Sequence, residues 1–88
     1  MGNRLVWANI SPYRSVLYEV DDERPFNREV ATVEFDHEAK TFLAKIRDPQ
    51  RFNLITEVVT DIPTKVEAME QAMAELVIQR MYKADKTN

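Results

Sequence analysis

The chain has 88 residues, with 12 basic and 15 acidic side chains, one histidine and no cysteine. That length suits a single domain, and the missing cysteines exclude disulfides, thiolate catalysis, iron–sulfur clusters and cysteine-ligated zinc. An apolar share of 44% can build a two-layer core, and a net charge of −3 makes the chain neither a nucleic-acid glue nor an acidic decoy.

Met1 to Ile10 holds one arginine and a short apolar run broken by Asn9. No stretch approaches the roughly seven to fifteen apolar residues of a secretory signal or the eighteen or so of a membrane span. The expectation is a cytoplasmic protein with no membrane partner.

Arg4 to Ile10 reads as a first strand, closed by a Ser11-Pro12 turn in which the proline holds Ser11 out of the helical region. Ser15 to Val20 alternates again, with Val16, Tyr18 and Val20 on one face. Asp21 to Glu29 is a polar loop around Pro25, and Phe26 is its only large apolar side chain, tucked under the sheet or offered to a partner. The clearest hairpin joins Val30–Phe35 to Thr41–Arg47 through residues 36–40. The expected register sets Phe35 opposite Phe42, Val33 opposite Ala44 and Ala31 opposite Ile46, with Thr32, Glu34, Leu43 and Lys45 on the other face. A one-residue slip would set apolar against polar along the whole ladder. Phe52 to Thr60 is apolar on both faces, which predicts a strand near the middle of a sheet or under a helix.

Thr64-Lys65-Val66-Glu67 is a capping box. From there to about Lys83 nothing breaks a helix, and residues 83–88 form a polar tail expected to fray. On a helical wheel Val66, Met69, Met73, Leu76 and Val77 make one stripe with Met81 at its edge, which predicts the core face. The order of elements calls for an α+β fold across residues 1–88: an antiparallel sheet of four to five strands with one C-terminal helix on one face.

Candidate chemistry is sparse. His37 lies between Asp36 and Glu38, as a general base or metal ligand would, but a lone histidine in a hairpin turn brings no pocket with it. Glu19, Asp21, Asp22 and Glu23 form an acidic knot, yet the glycine and distal glutamate of a calcium loop are missing. The expectation is a solvated loop, with Asp21, Asp22 and Glu23 open to a basic partner surface. Ser11 and Ser15 lie in no nucleophile elbow, and a lone glycine at position 2 cannot build a phosphate loop. No enzyme activity, cofactor or metal is expected.

Lys45, Arg47 and Arg51, followed by Phe52, combine charge with a stacking platform, as a single-stranded nucleic-acid face does. Against that reading, Lys45 can pair with Glu34 or Glu57 across neighbouring strands, and the segment Glu19 to Glu38 carries eight acids and two arginines. Ile78 and Tyr82 sit side by side off the helical stripe, as either a wider buried face or a contact patch for a second chain.

The run VATVEFDHEAKTFLAKI followed by TDIPTKVEAMEQAMAELVIQR resembles, at the level of a class, small proteins encoded by bacteriophages and mobile elements. Such proteins bind and inhibit a host enzyme, a polymerase or a CRISPR effector. The resemblance implies a non-enzymatic binding module in the host cytoplasm that masks a site on a larger protein complex. The residues read above as open to such a partner are Ile78, Tyr82, Phe26, Asp21, Asp22 and Glu23. The element order is also similar to the whirly and transcriptional-coactivator single-stranded DNA binders, whose faces are more basic than Lys45, Arg47 and Arg51 supply. Nucleic-acid binding is therefore the second reading, and a homodimer built on Ile78 and Tyr82 the third.

Overall fold

Five strands follow one another across a single sheet in chain order, each antiparallel to its sequence neighbour: β1 (Asn3–Ser11), β2 (Arg14–Asp21), β3 (Arg28–Asp36), β4 (Thr41–Asp48) and β5 (Leu54–Ile62). One helix, α1 (Lys65–Lys86), follows and packs across the sheet, chiefly over β3 and β4. The computed structural model describes residues 3–86 apart from 22, 24–26, 49, 50 and 53, with side chains between 4 and 81.

The β3–β4 hairpin takes the register its alternation dictates: Phe35↔Phe42, Val33↔Ala44 and Ala31↔Ile46. Its turn is closed by Asp36, whose carbonyl accepts the Lys40 amide at 2.7 Å while its Oδ1 accepts the amides of Glu38 (3.0 Å) and Ala39 (3.3 Å). Lys40 takes φ 59, the left-handed role that glycine fills elsewhere. The Thr64 cap also forms, its hydroxyl accepting the Glu67 amide at 3.2 Å.

Between sheet and helix lies one core, built from Leu17, Val30, Ala31, Val33, Ala44, Ile46 and Ile62 below and Ala68, Ala72 and Leu76 above. The helix is turned by close to a quarter turn from the expected stripe. Leu76 is buried as expected and Met69 and Met73 pack against the core, but Val66, Val77 and Met81 face water. Ala68 and Ala72 take the central places instead, both fully buried. Small side chains there let the helix axis approach the strands, and the long methionines fill the flank.

Polar contacts fix that rotation from several sides. The Arg80 guanidinium donates to Glu19 on β2 at 2.9 Å, and the Thr56 hydroxyl on β5 donates to Gln79 Oε1 at 2.9 Å. Near the helix start, Lys65 Nζ donates to the Ser11 carbonyl at 2.8 Å. Rolling the helix to bury Val66 and Val77 would break these bonds.

β5 also departs from expectation. It is an edge strand, not a central one, and Leu54, Ile55 and Val58 are exposed. A sheet laid down in chain order puts its last strand at the rim, and the returning helix settles over β3 and β4. Phe52 belongs to the turn before β5, with φ 58 and its side chain fully exposed.

Candidate protein-binding surface

With the sheet-facing side of α1 fixed, its opposite side can be read directly. In the last described turns that side presents Ala74, Val77, Ile78 and Met81, spaced i, i+3, i+4 and i+7 with no charge among them. Val77 is 47% exposed, Ile78 56% and Met81 64%. An amphipathic helix uses this spacing to anchor itself in an apolar groove of a partner. The helix thus carries two apolar stripes, one buried on the sheet and one facing water. Ile78 lies off the core face, as the sequence indicates; its neighbours in the patch are Val77 and Met81, which the wheel had placed in or beside the core. Tyr82 lies on the next turn, but its side chain falls outside the described residues.

Of the acidic knot, Glu19, Asp21 and Glu23 are described. Glu19 is buried and held by Arg80, and Asp21 Oδ1 accepts the Glu23 amide at 2.9 Å, leaving Glu23 exposed at the turn. Asp22 and Phe26 lie outside the described residues. Among the described residues no group of three histidine, aspartate or glutamate side chains is placed to hold a metal ion.

The basic stretch does not form a free cationic face. Lys45 Nζ lies 3.5 Å from Glu34, and Arg47 Nε lies 3.7 Å from Glu29, which also accepts the Thr32 hydroxyl at 2.6 Å. Each β4 cation thus has a β3 carboxylate beside it, as the cross-strand pairing of Lys45 with Glu34 anticipates. Arg51 stands beyond the strand end and is exposed. Binding to a single-stranded oligonucleotide at about 0.15 M salt is therefore expected to be undetectable in the micromolar range by fluorescence anisotropy. A complex with a log–log salt slope of about −0.7 per phosphate, lost on reversing Lys45, Arg47 and Arg51, would instead establish a nucleic-acid face.

One cluster escapes sequence reasoning. Tyr13, Phe35, His37 and Phe42 gather their rings at one end of the sheet, with Phe35 centred 5.4 Å from Tyr13, 5.0 Å from His37 and 5.1 Å from Phe42. The Phe35 amide donates to the Tyr13 carbonyl at 2.9 Å, which ties the β1–β2 turn to β3. The Phe35–Phe42 contact follows from the hairpin register, but Tyr13 and His37 arrive from two separate turns. His37 packs edge-on against an aromatic ring, an arrangement that stabilises a sheet end.

No family model, curated protein or solved structure matches the chain. No helix among the described residues is long and apolar enough to cross a membrane.

Proposed function

We propose that this protein is a non-enzymatic protein-binding module that lays the outer stripe of α1 in an apolar groove of a larger protein. The observation that carries this reading is the uncharged patch Ala74, Val77, Ile78 and Met81, exposed on a helix whose opposite side already supplies the core. Large apolar side chains left in water lose roughly 1.5–3 kcal/mol each relative to burial. Their clustering at groove-binding spacing is the mark of an interaction site. The class resemblance supplies the finer proposal: a phage-type inhibitor or accessory protein, the partner being a host protein complex whose working site it masks.

The test begins by capturing and identifying the partner from a bacterial lysate, then measuring its affinity by calorimetry. Ile78→Asp with Met81→Asp is expected to weaken binding by at least about a hundredfold, because central apolar anchors dominate such contacts. The melting temperature should stay within a few degrees of wild type, since neither side chain belongs to the core. A partner held equally well by the double variant would place the interface elsewhere.

A further inference from the structure

Among the described residues no strand covers either edge of the sheet, and the two edges are built differently. On β5, Phe42 pairs with Ile62 but Ala44 with Val59, and Ile46 pairs with Glu57 but Arg47 with Ile55. Each step carries one extra β5 residue, so the strand is bulged twice, and Asp61 in one of these irregular stretches has φ 61. Glu57 and Asp61 add like charges to the same strand. Bulges and charges are the means by which natural sheets keep an edge from pairing.

β1 carries neither device along most of its length. It pairs one-to-one with β2 from Asn3↔Asp21 to Asn9↔Ser15, and its single register shift comes only after Asn9. Arg4 is its one ionisable residue, and it contains no proline. Val6 and Ile10 are 43% and 56% exposed, while Leu5 and Trp7 pack against the core from the helix side. Among the described residues no strand pairs with its outer side. A regular, apolar edge presents a row of backbone N–H and C=O groups whose natural complement is another extended strand.

We propose that β1 seats a second copy of this chain, the two β1 strands pairing antiparallel about a two-fold axis to join both sheets into one. Charge and symmetry select the copy as occupant. With Val6 on the axis, Arg4 stands opposite Ala8 of the copy and never opposite its own counterpart. Every facing pair then shares a side of the joined sheet, Leu5 meeting Trp7 on the helix side and Val6 meeting its own counterpart on the other. Pairing through β5 would set its bulges and carboxylates together, and pairing β1 with the β5 of a copy would leave an open, propagating edge. The two-fold arrangement covers both unguarded edges and leaves the outer stripe of α1 free.

Sedimentation velocity of the full chain across a micromolar concentration series tests this, beside Val6→Lys, Ala8→Lys and, as a control, Val58→Lys on β5. Wild type and Val58→Lys are expected to dimerise, and either β1 lysine to raise the dissociation constant at least about tenfold. Circular dichroism checks that each variant folds. Hydrogen exchange on wild type supplies a readout independent of the variants: protection of β1 amides should rise with protein concentration. A wild type that stays monomeric, a dimer surviving both β1 substitutions, or β1 exchange independent of concentration would overturn the proposal. Loss of partner binding on changing Ile78 and Met81 bears on the helix stripe alone and leaves this result untouched.

Discussion

Ala72→Glu is expected to leave no cooperatively folded protein at room temperature, while Val77→Glu leaves thermal unfolding almost unmoved. Ala72 is fully buried where α1 meets the sheet, between Ala68 and Leu76 on the same helical face. A glutamate there must push helix and sheet apart, at about 1–3 kcal/mol for the overpacking alone. It also buries a carboxylate without a partner, worth several kcal/mol more. By the usual per-residue figure a chain of this size holds only roughly 4–13 kcal/mol in total. Val77, half-exposed on the outer stripe, tolerates a charged residue of better helix propensity with a change within about 0.5 kcal/mol. Circular dichroism melts of the two variants check this directly. If Val77→Glu unfolds the protein and Ala72→Glu does not, the helix is turned the other way, with Val66 and Val77 on the sheet.

That helix rotation is where sequence reasoning fails, and the reason is physical. A wheel weights large apolar side chains, and in α1 these span two stripes. Alanine contributes little to such a vote, yet Ala68 and Ala72 hold the closest approach to the strands. What fixes the rotation is tertiary: Gln79 meets Thr56 and Arg80 meets Glu19, partners 23 and 61 residues away in the chain. The hairpin is legible for the opposite reason. Its two strands are adjacent, each has one apolar face, and a single register satisfies both. β5 reads as central because it is apolar on both sides, but its edge position comes from the strand order of the whole sheet. The candidate surface was half visible, since Ile78 stands off any single stripe. Val77 and Met81 could join it only once the alanines had taken the core face.

The bond between Arg80 and Glu19 should be the strongest single polar contact between helix and sheet, and a double-mutant cycle measures it. Glu19 Oε2 accepts from Arg80 Nη2 at 2.9 Å; the Glu19 side chain is 10% exposed and that of Arg80 46%. The pair is therefore asymmetric. Removing the guanidinium strips a buried carboxylate of a charge-assisted hydrogen bond, whereas removing the carboxylate leaves an arginine that water can still solvate. Arg80→Met is accordingly expected to cost more than Glu19→Gln. The coupling between them should be about 1–3 kcal/mol, below the figure for fully buried pairs because solvent reaches the arginine. For a domain of this size 1 kcal/mol moves the melting temperature by about 4–8 °C, so Arg80→Met should melt visibly lower than wild type. Because the carboxylate is shielded, the coupling should fall only slightly between low and high salt, unlike that of an exposed pair. Urea titrations of wild type, both single variants and the double variant supply the cycle. A coupling indistinguishable from zero would mean that the bond adds nothing to what the packing of Leu76 and the Thr56–Gln79 hydrogen bond already supply in the C-terminal half of α1.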